Sequence, residues 1–108
     1  MSQYHLGEFE EVILLTVGIL HGAAYGVAII EEIEKRMGRK VSIGSLQTVL
    51  RRLETKGMLS SSLGEATNIR GGKRKRYFAL TTKGQGVLNE AKEQRLAMWK
   101  AIPKIAFK

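Results

Sequence analysis

A chain of 108 residues, 44% hydrophobic and 26% charged, fits one globular domain; with no cysteine, disulfides and thiolate metal sites are excluded. The longest apolar run, Val12 to Leu20, is too short to span a bilayer, and Glu8, Glu10 and Glu11 stand where a signal peptide carries positive charge, so a cytoplasmic location with no membrane partner is expected. The net charge of +8 is segregated: residues 1–34 hold six glutamates and no Lys or Arg, and from Lys35 onward eighteen basic residues stand against four glutamates, a local balance of +14 that suits a polyanionic partner better than the mixed-sign surface solubility requires.

Leu6, Phe9, Ile13, Thr16, Val17 and Leu20 recur at three- and four-residue spacing and predict a first helix packed on a core. Val12, Leu15 and Ile19 fall on roughly the opposite side, so this helix has two apolar faces, the second to be covered by the rest of the domain or by another subunit. His21 and Gly22 end it. A second helix opens near Gly26, with Val27, Ile30, Ile33 and Met37 as its inner stripe, Gly38 as its stop, and Glu31–Lys35 and Glu32–Arg36 as outward pairs at four-residue spacing.

Ser42 is placed to cap a third helix that ends at Gly57. Leu46, Val49, Leu50 and Leu53 define its buried side; Gln47, Thr48, Arg51, Arg52 and Thr55 lie opposite, with Ser45 near the edge. Small residues let such a helix approach a groove, an amide pairs with adenine, and guanidinium groups take guanine or phosphate. Any exposed helix face is polar, and Glu54 is placed to pair with either arginine, so the helix alone does not decide the function.

Met58–Leu63 and Arg74–Leu80 predict two short strands joined by a Gly-rich connection. Arg70 and the run Lys73, Arg74, Lys75, Arg76 put five cations within seven residues at the tip and returning strand of this hairpin. That concentration suits a minor groove or a row of phosphates, although similar runs also occur as solvated surface or localisation signals. The last helix opens at Thr81 or Thr82, Thr82 and Gln85 having the spacing of a capping box, and Pro103 stops it. Its stripe is Val87, Leu88, Ala91, Met98, Trp99 and Ile102, with Arg95 on the same side. A second subunit's last or first helix would cover it, unless it folds back on its own first helix. No catalytic arrangement or cofactor motif is present: His5 and His21 are isolated, and Gly71-Gly72 lies in a basic hairpin where a phosphate loop would follow a strand.

Taken in order and spacing, Tyr25-Gly26, Ser42-Ile43-Gly44-Ser45-Leu46, Leu50-Arg51-Arg52-Leu53-Glu54, Gly57-Met58-Leu59, Gly71-Gly72-Lys73-Arg74-Lys75-Arg76-Tyr77-Phe78 and Leu80-Thr81 with Gly84 resemble the PadR family of bacterial transcriptional regulators over nearly the whole chain. The resemblance implies a mainly α fold with a small β-hairpin: a winged helix over residues 1–80 and a dimerisation helix over 81–108 of a single domain. It further implies a homodimer built with the first and last helices, repressing at a palindromic operator in double-stranded DNA. With the pattern above, DNA contact is expected from Tyr25, Ser42, Ser45, Gln47, Thr48, Arg51, Arg52, Arg70, Lys73, Arg74, Lys75 and Arg76. The dimer interface or effector pocket is expected from Val12, Leu15, Ile19, Leu88, Arg95, Met98, Trp99 and Ile102. Many family members have Tyr and Pro where this chain has Gln47 and Thr48, so base preference does not transfer there. The chain resembles the short form without a larger C-terminal effector domain. In some short members a tryptophan on the last helix stacks on aromatic drugs, which offers Trp99 as a seat for a small aromatic effector; the residues alone favour a packing anchor at a dimer interface that needs no ligand. Two other readings stay open: a winged-helix module for RNA or protein, for which only Tyr77 and Phe78 offer stacking, and a multidrug-type ligand-binding sensor.

Overall fold

The computed structural model describes residues 5–64 and 74–107. Along the chain lie α1 (Glu8–Ile19), α2 (Gly26–Met37), α3 (Ile43–Thr55), β1 (Leu59–Leu63), β2 (Arg76–Leu80), α4 (Thr82–Ala101) and a 3-10 turn (Lys104–Phe107). Three helices followed by an antiparallel hairpin make a winged helix, as the periodicities predict. Among the described residues no helix is long and apolar enough to cross a membrane.

The core forms where the helical stripes converge. Ile13, Leu14 and Val17 of α1 meet Ile29 and Ile33 of α2 and Leu46, Val49, Leu50 and Leu53 of α3, with Met58, Leu59, Phe78 and Val87 closing the far side. Each such side chain taken fully out of water contributes about 1.5–3 kcal/mol. The expected stripe of α2 is corrected here: Ile33 is buried and Ile30 half-buried, but Val27 and Met37 are exposed and Ile29 takes the central place. Val27 and Met37 sit at the two ends of a twelve-residue helix, beyond the reach of the helices it packs on. Of the two outward pairs, Glu32–Arg36 forms at 2.5 Å.

Local chemistry sets the helix ends. Ser42 Oγ accepts from the Ser45 amide at 3.1 Å, capping α3 as expected. Gly38 stops α2 in the left-handed region, φ 64°, where its N–H donates to Glu34 O; a side chain there would be strained. For α4 the cap is Thr81, whose Oγ1 accepts from Gly84 N at 3.0 Å, and not the Thr82–Gln85 box. Thr81 prevails because it is also tied to the end of α3. Its Oγ1 donates to Gly57 O at 2.6 Å, its N–H donates to Met58 O at 3.1 Å, and Lys83 Nζ donates to Lys56 O at 2.8 Å. Three consecutive carbonyls beyond α3 are thus taken up by the root of α4, which pairs the backbone acceptors of the connecting turn.

In the hairpin, Leu59 pairs with Leu80 and Leu63 with Arg76, so β2 begins at Arg76, two residues later than the sequence pattern suggests. Phe78 N–H donates to Ala24 O at 2.8 Å, pinning β2 to the loop before α2. Along α4, Gly84 and Val87 are buried and Leu88 is half-buried against the core, after which the same stripe emerges into solvent. The chain is accordingly elongated, 60 × 32 × 21 Å, with a radius of gyration of 16.4 Å against about 13 Å for a compact chain of this length.

Candidate nucleic-acid interface

The bond from Phe78 to Ala24 places the wing beside the start of α2, and a cleft of about 660 Å³ opens between them and α3. The start of α2 contributes Tyr25 and Val27, α3 contributes Ile43, Gln47 and Arg51, and the wing contributes Arg74, Lys75 and Arg76 over a floor that includes Leu50 and Phe78. Tyr25 meets Tyr77 edge to face with ring centroids 5.7 Å apart, and Lys75 Nζ lies 4.2 Å from the Tyr25 ring centroid. These contacts hold the returning strand at a defined angle to α2 and keep the Lys75 charge in the cleft. Arg76 Nη1 donates to Ser61 Oγ at 2.9 Å, and Ser61 Oγ donates to Glu54 Oε2 at 2.6 Å, so Glu54 orients the wing through a serine, where the sequence suggested a direct pair with an arginine of its own helix.

The two neighbouring arginines of α3 part company. Arg51 lines the cleft beside the wing, while Arg52 turns the other way and its Nε lies 3.2 Å from Glu10 Oε2 of α1. Glu10 in turn accepts from Gly7 N at 2.8 Å. Arg39 and Arg95 are bound by the neighbouring acids of the same turn, Arg39 to Glu8 at 2.8 Å and Arg95 to Glu11. The acidic first turn of α1 therefore gathers three arginines from separate elements. Local spacing rules do not reveal these pairs, because the partners lie 31 to 84 residues apart.

Of the remaining expected DNA-contact residues, Ser45, Gln47 and Thr48 are exposed on α3. Thr48 Oγ1 donates to Gly44 O at 3.0 Å and lines a shallow groove with Arg51, Arg52 and Thr55. Ser42 is committed to its capping bond. Arg70 and Lys73 lie outside the described residues. The structure thus brings Tyr25, Gln47, Arg51, Arg74, Lys75 and Arg76 together and ties Arg52 to α1 outside that cleft.

The expected second face divides as well. Val12 and Leu88 are half-buried against their own core, the intramolecular covering that the two-faced pattern left open, whereas Leu15, Ile19, Met98, Trp99 and Ile102 are exposed. Arg95 is held to α1 by Glu11. Leu96, Ile105 and Phe107 add apolar surface that the sequence pattern missed, and Phe107 stacks on Trp99 with centroids 6.3 Å apart and planes 8° from parallel. The 3-10 turn after Pro103 brings Phe107 back to α4; a proline read only as a stop hides this contact.

A winged helix with a cationic cleft between its third helix and its wing defines a DNA-binding regulator in class. The family model described as the transcriptional regulator PadR-like family matches residues 14–90, and the chain belongs to this family, whose members are transcription regulators and not enzymes. Among solved structures it is similar to a PadR-like transcription factor from Bacteroides fragilis, at 30% identity and TM-score 0.71, covering 85% of this chain and 84% of that one. It is also similar to a PadR family regulator from Eggerthella lenta, at 26% identity and TM-score 0.70, covering 92% and 86%. A PadR family regulator from Clostridium difficile matches at 26% identity and TM-score 0.65, covering 82% and 91%. A comparison with curated proteins gives no match.

Proposed function

We propose that this regulator is a homodimeric repressor that binds a palindromic operator in cytoplasmic duplex DNA, with α3 in the major groove and the wing along the phosphates. The observation that carries the reading is the cleft that joins Gln47 and Arg51 of α3 to Arg74, Lys75 and Arg76 of the wing, an amide for base edges beside four cations for backbone. Arg51 is the backbone anchor of α3, since Arg52 is engaged with Glu10. Dimerisation is supported by the apolar surface of Leu15, Ile19, Met98, Trp99 and Ile102, which a second copy would cover with the same patch. Two recognition helices related by a two-fold axis would read half-sites about 34 Å apart or a multiple of that.

Trp99 is the proposed seat of an effector. Phe107 lies beside it with the two ring planes nearly parallel, yet Trp99 remains 63% exposed, so ring face is open to a flat aromatic molecule. The direct test of the DNA reading is selection of bound duplexes by the purified protein, followed by titration of the selected site and of random duplex. Gln47→Ala is expected to reduce discrimination between the two by about 1–3 kcal/mol. Equal weakening on both would remove Gln47 from base reading, and selection without a consensus would remove the operator.

A further inference from the structure

A surface built for a polyanion has little use for aliphatic side chains, yet two stand open in the cleft. Val27 is 52% and Ile43 48% exposed, and both line it together with Arg51 and the wing cations. Ile43 is the first residue of α3, where a β-branched side chain gains nothing in helix propensity. Its Cδ1 leans over Gly26 at the start of α2, 3.3 Å from where a Cβ would stand, and not into the core.

Ile43, Gln47 and Arg51 follow one another at four-residue spacing and share one side of α3. Gly44, next to Ile43, has nothing within 4 Å of where its Cβ would be, so the first turn of the helix is open to close approach. Four cations against the single carboxylate of Glu54 in this cleft suit the DNA of the reading above. Among the base edges exposed in a major groove, the apolar group is the thymine C5-methyl.

We propose that Ile43, with Val27 beside it, reads thymine methyl groups in the operator, adjacent to the base read by Gln47; this rests on the DNA reading above and adds its base preference. Four residues of helix advance about 6 Å, close to two base-pair steps of about 3.4 Å, so the thymine lies within about two pairs of the base that Gln47 contacts. With an adenine preferred by the Gln47 amide, each half-site carries a short A·T element at the N-terminal end of α3.

The test begins with selection from a random-sequence duplex library by the full chain. The consensus duplex is then synthesised with each thymine replaced in turn by 2′-deoxyuridine, which keeps the base pair and the O4 acceptor and removes only the methyl group. Replacement at one or two positions per half-site is expected to weaken binding about fourfold each, the factor for withdrawing one apolar carbon from a buried contact. In Ile43→Ala the ratio of affinities for the thymine and uracil duplexes falls to one at those positions, and Ile43→Val keeps part of it. Uracil without effect at every position, or a ratio that survives both Ile43→Ala and Val27→Ala, overturns the proposal while the DNA reading stands. Selection with no consensus overturns the sequence-reading role and this proposal together. Should Ile43→Ala not fold, the uracil scan on the unaltered protein and on Ile43→Val decides.

Discussion

The close seat of α4 on the end of α3 allows a sharp test with two glycines of one helix. At Gly84 an added Cβ would lie 2.2 Å from Met58 O and 3.1 Å from its carbonyl carbon, where ordinary C···O contact begins at about 3.3 Å. Neither side can yield easily, because Met58 is fully buried and its carbonyl already accepts from Thr81 N at 3.1 Å. Relief requires α4 to lift from the hairpin, an overpacking cost near the upper end of the usual range, about 3 kcal/mol. Alanine returns up to about 1 kcal/mol through lower backbone entropy in the unfolded chain, leaving Gly84→Ala destabilised by about 2 kcal/mol. At Gly86, two residues along, nothing lies within 4 Å, so Gly86→Ala should gain about 0.5–1 kcal/mol from helix propensity alone. Thermal unfolding followed by circular dichroism at one fixed protein concentration should show the first variant melting about 8 °C lower and the second about 2–4 °C higher than the parent. A Gly84→Ala protein as stable as the parent would refute the close approach of α4 to Met58.

Three further outcomes are expected. Replacing Arg74 and Arg76 with Ala should weaken binding to all duplexes nearly equally and lower the slope of log affinity against log salt by about one for each lost phosphate contact; an unchanged slope takes the wing out of the interface. Arg51→Ala should lower affinity and that slope, whereas Arg52→Ala, which takes a half-exposed guanidinium from the buried Glu10 carboxylate, should cost about 1–3 kcal/mol in urea unfolding and leave the slope intact; the reverse pattern would exchange their roles. Planar aromatic compounds should quench Trp99 emission saturably at micromolar concentration, and in Trp99→Ala their binding, followed by calorimetry because the chain has no other tryptophan, should be lost. Absence of saturable quenching would leave Trp99 as a packing residue alone.

Much of this architecture was legible because the signals are local. Ser42 caps α3 within one turn, Gly38 takes a backbone conformation that side chains resist, and the stripe Leu46, Val49, Leu50, Leu53 needs only the helical period. Where the outcome depended on how far the core reaches, the pattern misled or left a choice: Val27 and Met37, read with Ile33 as one inner stripe, lie exposed at the two ends of α2, and Val12 and Leu88, for which domain or partner was left open, are half-covered by their own core. Thr81 and Thr82 are equally good caps by type, and only the carbonyls of Gly57 and Met58 distinguish them. Likewise Arg51 and Arg52 are equivalent in sequence until Glu10, forty-two residues earlier, claims one of them. The basic cleft was foreseen as a composition, and its aliphatic members Val27 and Ile43 were not, since one was read as core and the other as part of a motif.

The fastening of α4 to the carbonyls of Lys56, Gly57 and Met58 has a mechanical meaning. With its root bonded directly behind the recognition helix, a twenty-residue helix acts as a rigid arm about 30 Å long, geared to α3 with little slack. A tilt of about 10° at that joint carries the far end through about 5 Å. Run in the opposite sense, a displacement imposed on the Trp99 end returns to α3 as a change of angle. In the proposed dimer, the spacing of the two DNA-reading helices would therefore follow the packing around Trp99.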